Sequence, residues 1–221
     1  MTGLREKGKQ RRRSRILEAA RLILADQGLP GLSTRKLSEA AELSVHTLYK
    51  LVGNKEDILV AVMRDNHEHV SSSIRQLKSQ HPIDQIFALI QSTYEILQLD
   101  PTQTALMRIL MQLNDENGVN EQIVEMLNRG QQVIESALTD ACEQNILHCS
   151  LSTEALAETL NAIYIGNLRD YLFGRRSLNS FLHQTRFGFW LQLGGAAREK
   201  QRGKFLQNAE IENQKLSEKE I

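Results

Sequence analysis

The sequence predicts an all-α protein of roughly nine or ten helices. Three observations carry that prediction. Apolar residues recur at i, i+3, i+4 and i+7 along most of the 221 residues. Few segments alternate apolar and polar with period two, the strand signature. Helix start signals, in the form of capping side chains and first-turn prolines, stand at the heads of several periodic segments.

In chain order, Ile16, Ala20, Ile23 and Leu24 make a first stripe that ends near Gly28. A short helix from Thr34 to Ala41 turns Leu37, Ala40 and Ala41 inward, and another from Val45 to Val52 turns Leu48 and Val52 inward. Asn54 reads as an N-cap, with Glu56 and Asp57 in the first turn where the helix dipole favours acids. That helix runs through Ile58, Leu59 and Val62 to about Ser79. Pro82 suits the first turn of the next, whose stripe is Ile83, Ile86, Phe87, Ile90 and Leu97. Asp100-Pro101-Thr102-Gln103 combines a capping side chain, proline at N1 and glutamine at N3, followed by Ala105, Leu106, Ile109, Leu110 and Leu113. A long helix from about Glu121 to Gln144 carries Ile123, Leu127, Ile134, Ala137 and Ala141, and Asn145 is placed to end it. Ser152 caps a helix to about Phe173, and a last helix runs from Leu178 to about Lys200. The polar segment after Arg202 reads as frayed helix or disorder.

Composition narrows the function classes. Hydrophobic residues are 41% and charged residues 24%, ordinary for a globular chain with a sizeable core. The longest clean apolar run, Ile58 to Met63, is far short of the roughly 18–20 residues of a membrane span. No apolar region with a small-residue cleavage site follows the basic N-terminus, so no secretory signal is expected. Two cysteines make no disulfide framework and fit a reducing compartment, so the expected location is cytoplasmic. The balance of 27 basic and 27 acidic residues hides an asymmetry: residues 1–64 carry net +6 and the remainder net −6. A basic first module suits a polyanionic partner.

Within that module, two short helices are joined by a turn of three or four residues across Ser33 to Lys50. Leu37, Ala41, Leu43 and Leu48 can lock them at a steep angle, and Ala40 and Ala41 allow close approach. This is a helix-turn-helix, which lays its second helix in the major groove of double-stranded DNA. Val45, His46, Thr47, Tyr49 and Lys50 of that helix are not used for locking. They are hydrogen-bonding, basic or methyl-bearing types that reach base edges, thymine methyls and phosphates. The Arg11–Arg15 cluster reads as a basic arm for phosphate or the minor groove.

The pattern Ile16-Leu17-Glu18-Ala19-Ala20, Gly28, Leu32-Ser33-Thr34-Arg35-Lys36-Leu37, Ala41, Ser44-x-x-Thr47-Leu48-Tyr49 and Asn54-Lys55-Glu56-Asp57-Ile58-Leu59 resembles the TetR family of transcriptional regulators. The resemblance covers about residues 11–64. It implies that Thr34 contacts phosphate, that Arg35 contacts a base or phosphate, and that Ser44, Val45, His46 and Thr47 form the groove-facing start of the recognition helix. It also implies that Tyr49 anchors a phosphate and that Lys55 binds one at the head of the fourth helix. Two positions depart from the pattern: Glu42 where relatives carry glycine, and Val52 where they carry an aromatic.

The expected organisation is a DNA-binding domain with its basic arm over 1–56, a helical effector-binding and dimerisation domain over 57–202, and a polar tail over 203–221. Apolar residues on two sides of the last two helices, among them Tyr171, Phe181, Phe189 and Trp190, suit burial against a second copy. Gly188, Gly194 and Gly195 suit close backbone approach. The resemblance implies a four-helix dimer interface there and an effector bundle between. Phe87, Tyr94, Met107, Met111 and Tyr164 are the candidate contacts to a small-molecule effector. The implied function is a repressor that binds a palindromic operator as a homodimer and is released by its effector.

No enzyme is expected: there is no Gly-rich phosphate loop, HExxH or G-x-S-x-G. No cofactor and no metal site is expected; His67 and His69 point about 200° apart on a helix. Two alternatives stay open. One is a non-specific architectural nucleic-acid-binding protein. The other is a thiol-based redox-responsive regulator using Cys142 and Cys149, which lie roughly 10 Å apart on a continuous helix but meet if it breaks near Asn145.

Overall fold

The computed structural model describes the backbone of residues 2–76, 81–115 and 121–217, and their side chains except those of 2, 4, 66–76, 110, 113–115 and 121–129. Among the described residues the regular structure is helical, in ten elements: α1 (Thr2–Gly31), α2 (Thr34–Ala40), α3 (Val45–Leu51), α4 (Lys55–Gln76), α5 (Pro82–Leu99), α6 (Pro101–Asp115), α7 (Glu121–Glu143), α8 (Thr153–Leu172), α9 (Leu178–Ala196) and α10 (Glu199–Ser217). One isolated antiparallel bridge pairs Leu147 with Ala197. Leu110, Leu113, Ile123, Leu127, His67 and His69 lie outside the described side chains.

The chain divides into two compact units, residues 1–69 with 100–124, and 70–99 with 125–221. In the first unit Ile16, Ala20 and Leu24 of α1 share a core with Leu37, Leu48, Ile58 and Leu106. Helix α1 begins well before its apolar stripe and is interrupted at Gly28, whose φ of 64° is left-handed. The basic run Arg11–Arg15 is exposed and lies within this helix. Arg21 of α1 pairs with Asp100, which also accepts the Thr102 amide at 2.9 Å and so caps α6. Burial pushes the Asp100 carboxyl up. The hydrogen bonds from Thr102 and Gln103 and the Arg21 charge outweigh it and hold the carboxyl below its ordinary value. Its contribution to stability is therefore present above the unfolded pKa and lost as pH falls through the folded one.

In the second unit Ile83, Ile86 and Ile90 of α5, Leu160 and Leu168 of α8, and Phe181, Phe189 and Leu193 of α9 are buried together with Ile134 and Leu138 of α7. The expected last helix is two. It stops at Ala196, Ala197 is extended (ψ 143°), and the chain re-enters helix at Glu199. The polar segment after Arg202 is thus helical to Ser217, with Phe205, Ala209 and Glu212 buried. Three apolar or paired contacts per five turns are too sparse to register as a stripe among so many charges. The Glu212 carboxylate is met by His183 Nδ1 at 2.7 Å and paired with Lys215 Nζ at 3.3 Å and Arg186 Nε at 3.6 Å.

Candidate nucleic-acid interface

Each short helix of the first unit is built by its caps. Ser33 is extended (φ −129°, ψ 149°) and its hydroxyl accepts the Lys36 amide at 3.3 Å, starting α2. Ser44 does the same for α3, accepting the Thr47 amide at 3.1 Å, while the two hydroxyls meet at 2.8 Å. Helix α4 starts on a reciprocal cap. Asn54 Oδ1 accepts the Glu56 and Asp57 amides at 2.8 and 2.9 Å, and Asp57 Oδ2 accepts the Asn54 amide at 2.9 Å. Gly53 precedes it at φ 115°; a Cβ there would stand 2.3 Å from the Asp57 carboxylate.

The turn between α2 and α3 is a Schellman motif with Glu42 in its left-handed position. Glu42 has φ 51°, its amide donates to Glu39 O at 3.1 Å, and the Leu43 amide donates to Ser38 O at 2.9 Å. The Glu42 carboxylate accepts from Arg15 of α1 at 2.7 Å, so the departure from glycine comes with a partner 27 residues away. That pair is exposed and contributes at most about 1 kcal/mol, while the left-handed backbone costs a non-glycine residue roughly 1 kcal/mol or more. Glu42→Gly is expected to be more stable than Glu42→Ala by about 1 kcal/mol in thermal unfolding. Equal melting of the two variants would show that the turn carries no strain.

The helix-turn-helix packs as expected at Leu37, Ala41 and Leu48, which are buried. Ala40 is exposed, contrary to the inward position read from the sequence; Ser38 is buried instead and satisfies its hydroxyl on Arg35 O at 2.8 Å. In a seven-residue helix the inward arc is narrow, and docking on α1 selects 37, 38 and 41 over 40. Val52 is half-buried and lines a cleft of about 230 Å³ with Arg13, Val60 and Ala61, where a larger aromatic would have filled space.

Helix α3 presents one continuous outer face. Val45, His46, Tyr49 and Lys50 are exposed, Tyr49 by 50%, while Leu48 on the opposite face has no exposed surface. Ser44 is exposed and Thr47 half-buried at the same end. Thr34 sits half-buried in the first turn of α2, and Arg35 is exposed beside Glu39 at 3.1 Å. Lys55, in the first turn of α4, donates to Leu29 O at 3.2 Å from an exposed position. The structure therefore gathers all nine residues in the first unit. What the sequence did not reveal is the Arg15–Glu42 tie, because nothing local connects residues that far apart.

The candidate effector residues are divided between the two units. Met107 and Met111 are on α6 of the first unit. In the second unit Phe87 stacks on Trp190 (centroids 4.1 Å, 22°) and meets Phe189 edge-on at 6.1 Å. Tyr94 donates to Asn179 Oδ1 at 2.8 Å. The Tyr164 hydroxyl lies 2.9 Å from Thr93 Oγ1. Because Thr93 spends its proton on Leu89 O, Tyr164 is the donor, and burial pushes its pKa up against that hydrogen bond.

Two of the candidate interface residues need correction. Phe181 and Phe189 have no exposed surface in the single chain, so they belong to the protomer core; Trp190 and Tyr171 are half-buried. Two glycines are likewise used internally. A Cβ on Gly188 would stand 3.0 Å from Ile163 of α8, and one on Gly194 would stand 3.0 Å from Leu206 of α10. Apolar residues on two sides of α9 reflect three intrachain neighbours, α5, α8 and α10.

Among the described residues no helix is long and apolar enough to cross a membrane, and no three His, Cys, Asp or Glu side chains converge to hold a metal ion. Residues 16–62 match the family described as bacterial regulatory proteins, tetR family. The chain is similar to the HTH-type transcriptional repressor KstR of Rhodococcus jostii, 23% identical over 199 residues that cover 88% of this chain and 89% of that one. The fold is similar to SmeT, the repressor of the Stenotrophomonas maltophilia multidrug efflux pump SmeDEF (TM-score 0.71, 16% identity, 85% of this chain and 91% of that one). It is also similar to the same protein solved as a SmeT–Triclosan complex (TM-score 0.70, 17% identity, 85% and 92%). With its capped helix-turn-helix at the head of an all-helical chain, this protein is similar to the tetR family of bacterial regulatory proteins, whose family model matches its N-terminal helices.

Proposed function

We propose that the protein is a transcriptional repressor of the cytoplasm that reads a palindromic DNA operator as a homodimer and leaves it when a small-molecule effector binds. The observation that carries this reading is the outer face of α3: Val45, His46, Tyr49 and Lys50 exposed together on a helix whose other face is anchored by Leu48. Thr34, Arg35, Ser44, Thr47 and Lys55 flank that face from the helix starts of the same unit. Amides at those starts suit phosphate oxygens, and the side chains of α3 suit base edges. The α3 face is too small for strong specificity alone, which favours two copies on half-sites about one helical turn apart.

For dimerisation the reading draws on Tyr171 and Trp190 together with the exposed apolar residues Phe173 and Leu191 of the same helices and their ends. For the effector it draws on Phe87, Tyr94 and Tyr164, an aromatic set with two hydroxyls suited to an apolar molecule with a polar end. The triclosan bound by SmeT is such a molecule. An effector that prefers another arrangement of the dimer lowers DNA affinity by its differential affinity for the two states.

The test is selection from a random duplex pool at moderate salt. Enrichment of a two-fold symmetric site is expected; tight, salt-sensitive binding without enrichment would favour the architectural alternative. On the selected site, Lys55→Ala is expected to weaken all duplexes alike and shallow the salt dependence by about one unit per half-site. His46→Ala and Thr47→Ala are expected to cost about 1–3 kcal/mol on the selected site and little on random duplex. If both kinds of change act equally on every sequence, the groove assignment is wrong.

A further inference from the structure

The turn that ends α7 brings the two cysteines of the chain together. Asn145 is left-handed at φ 58°, its amide donates to Cys142 O at 3.0 Å, and the Ile146 amide donates to Ala141 O at 2.9 Å. This Schellman motif reverses the chain where a continuous helix would have carried Cys149 away. The Cys149 thiol donates to the Cys142 carbonyl oxygen at 3.2 Å, which brings the two residues side by side. The returning segment is held in place from the far side. His148 N donates to Ala196 O at 2.9 Å, Arg198 N to Ile146 O at 3.0 Å, and Arg198 Nε to Leu147 O at 3.3 Å. The two thiols differ in access: Cys149 is exposed and Cys142 is buried.

We infer that Cys142 and Cys149 are a redox-modification site, a dithiol that reacts with low-molecular-weight disulfides and closes to an intramolecular disulfide. The inference does not rest on the DNA-binding reading. Exposure makes Cys149 the attacking thiol. Burial first, and contact with Cys149 next, push the Cys142 thiol up, while the Arg198 charge acts the other way; Cys142 is the resolving thiol. The Cys149 thiolate attacks one sulfur of R–S–S–R, forming a Cys149–S–S–R mixed disulfide and expelling one RS⁻. Cys142 gives up its proton, its sulfur attacks Cys149 Sγ, and the second RS⁻ leaves. Two electrons pass from the protein to the small disulfide, and one R–S–S–R yields two R–SH after protonation.

Treatment of the full-length protein with oxidised glutathione, followed by intact mass and free-thiol counting, tests this. The wild type is expected to lose both thiols together, to retain no glutathione, to stay monomeric in chain length on a non-reducing gel, and to regain both thiols with dithiothreitol. Cys142→Ser is expected to stop with one glutathione attached to Cys149, and Cys149→Ser to react about tenfold more slowly or less. A wild type that keeps glutathione on Cys149, links chain to chain, or loses neither thiol while folded would overturn the inference. So would a Cys149→Ser variant that reacts as fast as the wild type.

Discussion

Leu48→Ala is expected to abolish DNA binding while leaving the second unit folded. Leu48 has no exposed surface and is the buried residue of α3. The helix has seven residues, too few to persist without tertiary anchorage. Its Ser44 cap aligns the first turn but cannot hold the helix against α1 and α2. Removing the buried side chain costs about 2–5 kcal/mol of transfer and cavity free energy, a large share of the stability of so small a unit. Hydrogen exchange gives the sharpest readout. Amides of α3 should lose protection while those of α8 and α9 keep it. An unchanged α3 with full operator affinity would mean that the recognition helix is held by something other than this contact.

Phe189→Ala is expected to cost about 3–5 kcal/mol in chemical denaturation, with the midpoint falling and the slope unchanged. Phe189 is fully buried on α9 and meets Phe87 of α5 edge-on at 6.1 Å, so its loss opens a cavity between two helices and removes an aromatic pair. Its neighbour is the control. Trp190 is half-buried, stacked on Phe87 and 5.2 Å from the Phe205 ring, so Trp190→Ala should destabilise the chain less. If Trp190 also meets a second copy, its replacement should make the stability of the protein less dependent on concentration, and Phe189→Ala should not. Phe189→Ala costing less than Trp190→Ala would reverse the assignment of core and surface on α9.

Much of this molecule is written within four or five residues at a time, and that part the sequence determined alone. The helix starts at Asn54, Asp100 and Ser152 act through hydrogen bonds to amides two or three residues on, so residue type and spacing suffice to read them. The outer face of α3 follows from which residues Leu48 leaves over, and the charge asymmetry is a property of composition. The end of α7 at Asn145 was legible too, because the left-handed position after a helix accepts asparagine. Tertiary structure decided what depends on neighbours distant in sequence. Arg15 reaches Glu42, Arg21 reaches Asp100, and Cys149 returns to Cys142 only because a turn and its clamps at Ala196 and Arg198 fix where the chain goes next. The same holds for α9. Periodicity shows that a helix is apolar on two sides, but it cannot say whether the second side meets another chain or another helix of its own. Here α10, too charged to announce itself, covers part of that side, and Phe181 and Phe189 are core.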